Sequence, residues 1–257
     1  MIRLPSPVSL AVLLATTGLG LAMPAQAGAL AFDSHPNSNS SEWAAHLATV
    51  GAAPSLNIDF ETHPLGPLQG EWYAAQGVHL ALGGSGFSFN EVYDYRNNYI
   101  GTVSGYGPNS TAEGVAPESR AFSAYSANAA WTLTVTFDQA VLGAGLYVID
   151  LFNGLGNRTT TLAAYSGTNG TGTLLATASA PAYNYQLYNQ LFLGVASDSA
   201  VANIRSVVFT NPQPIYGDGI ALDNLRIATT VPEPGPAALL LAGLGALGWL
   251  QRRRGAR

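Results

Sequence analysis

The 257-residue chain has no cysteine and no lysine, and its formal net charge is −5. It therefore has no disulfide bond, thiol nucleophile or thiolate metal site, and Schiff-base chemistry is excluded. Without its two apolar ends, the body at residues 28–231 has five arginines and fourteen acidic residues, a net charge of −9 (5 minus 14). So acidic a body argues against nucleic acid as a partner and is compatible with divalent cations and polysaccharide.

The first 27 residues have the layout of a secretory signal peptide. Arg3 supplies a positive charge, residues 8–21 form an apolar stretch, and Pro24 breaks it. Ala25 and Ala27 then form an A-x-A cleavage site. We expect the signal peptide to span residues 1–27 and the mature protein to begin at Gly28.

Residues 28–55 predict a leader with one short helix. The helix is expected from Ser40, a good N-cap, to Gly51 just past its end. Its apolar residues Trp43, Leu47 and Val50 recur at helical spacing, so this face is expected to dock on the body.

From residue 56 onward the chain alternates apolar and polar residues, the pattern of half-buried strands. Strands are predicted at 56–61, 78–82, 131–137, 142–149, 160–165, 174–178, 191–195, 204–209 and 221–227. Many short strands with little helix indicate an all-β, two-sheet β-sandwich over residues 56–230. The irregular stretch 83–130 is expected to be functional or to contain strands that the pattern does not reveal.

The C-terminus carries three features in a fixed order: a Pro-Glu-Pro motif, an apolar run and an arginine cluster. The run at 235–250 would span roughly 24 Å as a helix, against about 30 Å of bilayer hydrocarbon. We expect a short transmembrane helix with its arginines in the cytoplasm and the preceding chain outside. The residues of the motif and cluster are Val231, Pro232, Glu233, Pro234, Arg252, Arg253 and Arg254.

This tail, residues 231–257, resembles the PEP-CTERM sorting signal of exported proteins in Gram-negative bacteria that make exopolysaccharide. The resemblance implies transit through the inner membrane, cleavage at the motif by an exosortase-type protease, and release to the cell surface or extracellular matrix. A permanent anchor without cleavage is the alternative.

The body has a second resemblance, carried by residues 58–61 with 71–78, 135–141 with 145–150, and 219–225. These segments are similar to galactose-binding-like jelly-roll modules, which resemble carbohydrate-binding modules. The resemblance implies a jelly-roll-like sandwich, with a structural calcium site where the first and last strands meet.

Three carboxylates are candidates for that calcium site. Asp223 alternates with apolar residues in the last strand, which would bury a charge that needs a cation or hydrogen bonds. Asp59 and Glu61 near the first strand could add hard oxygen ligands. Alternatively, Asp223 bonds backbone amides and the other two carboxylates are solvated.

Two tyrosine-rich segments are candidate saccharide sites, because flat rings beside amide side chains suit sugar faces. Packing of loops onto the sandwich is the alternative interpretation. The candidate residues are Tyr93, Tyr95, Tyr99, Tyr106, Tyr183, Tyr185 and Tyr188.

No catalytic motif was found, and His35, His46, His63 and His79 are scattered along the chain as surface or packing residues. The sequence favours an exported, non-catalytic matrix protein, carbohydrate-binding or adhesive, which includes a purely structural adhesin. The alternative is a secreted glycosidase that uses loop carboxylates, for which Glu91, Asp94, Glu113 and Glu118 are the candidates.

Overall fold

The computed structural model describes residues 28–33, 39–94, 120–126, 129–149, 159–181, 190–212 and 220–231. The α-helix is α1 (Asn39–Thr49), and a 3-10 turn spans Ala74–Gln76. The strands are β1 (Ala29–Phe32), β2 (Ala52–Ile58), β3 (Gly66–Pro67), β4 (Val78–Gly83), β5 (Phe87–Asp94), β6 (Arg120–Ser126), β7 (Trp131–Val141), β8 (Gly143–Ile149), β9 (Thr159–Tyr165), β10 (Leu174–Pro181), β11 (Gln190–Ser197), β12 (Ile204–Asn211) and β13 (Ile220–Thr230).

The strands form two antiparallel sheets. The larger sheet has the order β1-β11-β8-β13-β6-β5-β3. Strand β2 also pairs with β13, along the same edge as β6 but with the later residues of β13. The smaller has the order β10-β9-β12-β7-β4. The predicted first and last strands are therefore neighbours, with Leu225 of β13 opposite Ile58 of β2.

The two sheets share one hydrophobic core. It receives Ile58, Phe122 and Leu146 from the larger sheet and Leu133 and Phe209 from the smaller one. In β7, every second residue from Trp131 to Phe137 is buried and the threonines between them are partly exposed. The all-β prediction is confirmed: the described chain is two packed antiparallel sheets with one short helix.

Helix α1 lies on the outer face of the larger sheet, over a second apolar cluster. Trp43 and Leu47 are fully buried there, and the Trp43 indole N–H donates to the Val195 carbonyl oxygen at 3.0 Å. Glycines allow this close approach: a Cβ on Gly194 would lie 2.9 Å from the Trp43 ring, and one on Gly143 would lie 3.0 Å from Leu47. The predicted docking face is confirmed.

All nine predicted strands are present, but their bounds differ and the pattern missed others. β2 runs earlier than predicted and ends at Ile58, because the chain turns at Phe60, whose φ is 59°. β1 lies in the polar leader, while β5 and β6 lie within the stretch 83–130. β6 has mainly small and polar residues and is buried at most positions, and its pairing with β13 and β5 inside the larger sheet leaves no alternating pattern in the sequence.

The predicted signal peptide, with Ala25 and Ala27, and the tail from Pro232 onward lie outside the described residues. Among the residues that the structure describes, no helix is both long and apolar enough to cross a membrane. Val231 is the last residue described, and its backbone N–H donates to Gly51 at 3.0 Å.

Candidate functional site around a buried carboxylate

The candidate site lies where the end of β2, the start of β6 and the middle of β13 meet. The pairing of β13 with β8 shifts register between Asp223 and Arg226, and Asn224 has a left-handed φ of 49°. Leu222 before this irregularity and Leu225 after it both belong to the core. An extra residue has therefore been inserted, so the regular alternation expected around Asp223 is interrupted by a β-bulge.

Asp223 is buried, with 2% of its surface exposed, and Asn224 donates hydrogen bonds to both oxygens of its carboxylate. The Asn224 backbone N–H donates to one oxygen at 2.7 Å and its side-chain amide to the other at 3.1 Å. Asn57 of β2 in turn donates to the Asn224 side-chain oxygen at 2.7 Å. This chain of bonds ties the bulge of the last strand to β2.

The environment disfavours the charged form of Asp223. Burial, with smaller contributions from nearby Glu61 and Asp59, raises the pKa of its carboxyl from 3.8 to about 8, against the opposing effect of the hydrogen bonds from Asn224. The three predicted calcium ligands are therefore close enough to interact electrostatically. A buried carboxylate with a raised pKa beside other carboxylates is a common feature of functional sites. Structural networks of charged groups show the same feature.

Glu61 is held by the start of β6. One of its carboxylate oxygens accepts the Arg120 backbone N–H at 2.7 Å, and the Arg120 guanidinium donates to the carbonyl oxygens of Glu61 and His63. Asp59 accepts the Glu61 backbone N–H at 3.2 Å. Protein donors thus fix the turn that carries both acids.

Aromatic rings surround this turn. Tyr73 packs edge-on against Phe60, and His63 stacks on Trp72 with centroids 4.3 Å apart and planes 9° apart. Burial, Asp59 and Asp223 raise the pKa of the Tyr73 hydroxyl above its ordinary value. Burial lowers the pKa of His63 despite the attraction of Asp59, so this histidine is predominantly neutral at pH 7.

The carboxylates of Asp59, Glu61 and Asp223 are chemically suited to calcium, because they are hard oxygen donors and a cation would offset their mutual repulsion. Within the described ranges, however, no group of three or more His, Asp or Glu residues has an arrangement that could hold a metal ion. The calcium site at Asp59, Glu61 and Asp223 stays a prediction.

The two tyrosine-rich segments connect different pairs of strands. Residues 95–119 connect β5 to β6, and Arg120, the first residue of β6, contacts the turn after β2. Segment 182–189 joins β10 to β11 where the chain crosses between the sheets. Tyr95, Tyr99, Tyr106, Tyr183, Tyr185 and Tyr188 lie outside the described residues, as does the side chain of Tyr93, so they stay predictions.

The described histidines have local partners. His79 lies 3.0 Å from both Glu71 and Asp138 on the exposed face of β4, and these acids raise its pKa. His46 lies 2.8 Å from the Ser197 carbonyl oxygen. His35 lies outside the described residues, as do Glu113, Glu118 and the side chain of Asp94 among the candidate catalytic acids.

Sequence reasoning missed Asn57, Asn224 and Arg120, the residues that organise the site. The Asp223-Asn224 pair was a usable signal, because asparagine tolerates the left-handed conformation and hydrogen-bonds locally. The contributions of Asn57 and Arg120 depend on pairing between distant segments and left no sequence pattern.

The described chain is thus an all-β body that precedes a sorting tail. Residues 230–254 match the PEP-CTERM protein-sorting motif, so the chain carries a sorting signal of exported proteins. The match covers the tail and leaves the β body unassigned. No curated protein matches the sequence.

Several solved structures align with part of this chain at low sequence identity. The K2 adhesin domain of Lys-gingipain from Porphyromonas gingivalis aligns at 12% identity and a TM-score of 0.40, over 67% of this chain and 98% of that domain. TmCBM61, solved with β-1,4-galactotriose, aligns at 9% identity and a TM-score of 0.36, over 63% of this chain and 97% of that one. The enzymatically active domain of tailspike protein 4 of bacteriophage CBA120 aligns at 18% identity and a TM-score of 0.33, over 63% of this chain and 20% of that one. We assign no function from these likenesses.

Proposed function

We propose that this chain is an exported, non-catalytic protein of the cell surface or exopolysaccharide matrix of a Gram-negative bacterium, and that its jelly-roll-like sandwich binds carbohydrate. The observation that carries the proposal is the sorting motif at 230–254. In this account a signal peptide at 1–27 starts export. A helix at 235–250 then holds the chain in the inner membrane until an exosortase-type protease cleaves at the Pro-Glu-Pro motif.

Composition supports the polysaccharide partner. The body has a net charge of −9 without lysine, which disfavours anionic polymers unless cations bridge them and leaves neutral glycans as the simpler ligands. The tyrosines of 93–106 and 183–188, interleaved with Asn and Gln, supply stacking faces and amide partners. Because these segments join different strands, each is a separate candidate binding surface.

The first test is a glycan array with the exported protein, purified from a host that makes it from the full-length gene. We expect binding to one class of neutral polysaccharide, or to a uronic-acid-containing one when calcium is present to bridge the charges. Binding should fall at least tenfold when Tyr183, Tyr185 and Tyr188 are changed to alanine. The same loss is expected when the tyrosines of residues 93–106 are changed to alanine. Tyr165→Ala, at the β9–β10 hairpin, is the matched control. Absence of binding to any glycan would contradict the carbohydrate proposal and leave the sorting motif unaffected.

The same preparation distinguishes the alternative, a secreted glycosidase. Release of sugar from purified exopolysaccharide, abolished in an Asp94→Ala/Glu118→Ala variant, would replace the binding-protein proposal with an enzyme. Glu91 is a further candidate acid; it lies on β5 opposite Ser123.

We also propose that calcium binds at Asp59, Glu61 and Asp223 and acts structurally. The support is the buried, charge-crowded environment of Asp223, whose negative charge a divalent cation would stabilise. In that role the ion would tie the turn after β2 to the bulge of β13.

A further inference from the structure

Strand β1 closes one side of the sandwich. It pairs antiparallel with β11, from Ala29 opposite Ser197 to Phe32 opposite Gly194, and so covers an edge of the larger sheet. Just after β1, the Asp33 carboxylate accepts the backbone N–H of Ser179 in β10, at 2.9 Å. This six-residue segment, 28–33, therefore contacts β11 of the larger sheet and β10, an edge strand of the smaller sheet.

Gly28, the residue before β1, is anchored by three hydrogen bonds. Its backbone N–H donates to the Asp198 carboxylate at 3.0 Å. Its carbonyl oxygen accepts the Asp198 backbone N–H at 3.2 Å and the Asn203 side-chain amide at 3.0 Å. A Cβ at position 28 would lie 2.9 Å from the same Asp198 oxygen, so glycine suits this close approach.

Gly28 is also the residue that follows the A-x-A pattern of Ala25 and Ala27. Cleavage after Ala27 would convert the Gly28 amide, already bonded to Asp198, into a primary α-ammonium. The nitrogen keeps its position and gains a positive charge opposite a carboxylate.

We propose that Asp198 is the receptor for the mature N-terminal α-ammonium, and that removal of the signal peptide locks strand β1 onto the sandwich through this ion pair. The inference rests on the proposed export route, which supplies the cleavage. In the precursor the same contact is a hydrogen bond from a neutral amide. In the mature protein the donor is charged as well, so the contact becomes an ion pair and gains Coulombic attraction.

The chain allows a selective test, because without lysine the α-amine is the one primary amine of the exported protein. Acetylation of that amine restores a neutral amide N–H, the state before cleavage, with no change of sequence. The exported protein is purified from a host that carries the full-length gene, and its N-terminal residue is determined by mass spectrometry. Melting temperatures are then measured at pH 6.5, where an α-amine is protonated, before and after acetylation.

We expect the N-terminus to be Gly28 and acetylation to lower the melting temperature by roughly 2–3 °C, as suits one exposed ion pair. Asp198→Asn keeps the acceptor oxygen but not the charge, so its melting temperature should fall by less than about 1 °C on acetylation. His46, which contacts the adjacent Ser197 carbonyl, is present in both proteins, so its contribution cancels.

The outcomes separate the two proposals. Absence of an exported product would contradict the proposed export function itself. A product that begins elsewhere than Gly28, or an equal effect of acetylation in wild type and Asp198→Asn, would overturn the docking proposal and leave export standing.

Discussion

Asn224 donates both its backbone N–H and its side-chain amide to the carboxylate of the preceding residue, Asp223, at 2.7 and 3.1 Å. It does so from a left-handed backbone conformation within a β-bulge. The bonds satisfy a nearly buried carboxylate, yet burial dominates and raises its pKa to about 8. The bulge therefore carries a group that is costly to ionise.

The first prediction concerns pH. Between 3.8, the pKa of an unperturbed Asp, and about 8, the folded chain holds a proton at Asp223 that the unfolded chain has lost. This contribution to the free energy of unfolding is present below about pH 4 and is lost as pH rises to about 8. At 1.36 kcal/mol per pH unit, the loss is at most about 6 kcal/mol. Urea unfolding of wild type and Asp223→Asn from pH 4 to 9 measures it.

Asp223→Asn should flatten that dependence and be the more stable protein at pH 8. Glu42→Gln, at an exposed acid of α1, should leave the slope between pH 7 and 8 intact. Parallel curves for wild type and Asp223→Asn would show that Asp223 does not carry the effect.

The second prediction tests the bulge. Asn224→Ala removes the side-chain bonds to Asp223 and Asn57 and places alanine at positive φ, so we expect a loss of about 1–3 kcal/mol in the free energy of unfolding. Asn224→Gly loses the same side-chain bonds but accepts the backbone conformation, so it should be less destabilised. Urea denaturation separates them, and equal losses would mean that the left-handed conformation contributes nothing.

A third prediction concerns the seat of helix α1. Gly194→Ala would place a methyl group 2.9 Å from Trp43 and 2.6 Å from Phe192, so one or both rings must shift. We expect destabilisation of about 1–3 kcal/mol and a change in Trp43 fluorescence. Thr173→Ala, at an exposed position of the β9–β10 hairpin, is the control. An unperturbed spectrum in Gly194→Ala would contradict the described packing.

A fourth prediction tests calcium. If the ion binds at Asp59, Glu61 and Asp223, calcium at 100 times its Kd should add about 2.7 kcal/mol to the free energy of unfolding. Asp223→Asn should lose most of this gain, and Asp138→Asn should retain it. A melting temperature unchanged by millimolar calcium after EDTA treatment would refute the proposed site.

The last prediction concerns the tail. Changing Pro232, Glu233 and Pro234 to alanine should leave the chain uncleaved and in the membrane fraction of a host that has the matching protease. Wild type should lose about 2 kDa or more, seen by mass spectrometry. Truncation of the arginine cluster at 252–254 is a second variant, expected to alter membrane orientation. A wild-type product that retains Arg257 would favour the permanent anchor.

The sequence by itself determined the C-terminal sorting motif, the all-β class, nine strands, and the docking face of α1. These are local patterns: a short motif, helical spacing, or alternation within one strand can be read without knowing any partner. Tertiary structure alone decided β1, β5 and β6, the bulge at Asn224, and the proximity of Gly28 to Asp198. Each depends on register between segments up to 170 residues apart, and pairing at that distance leaves no periodic trace in the chain.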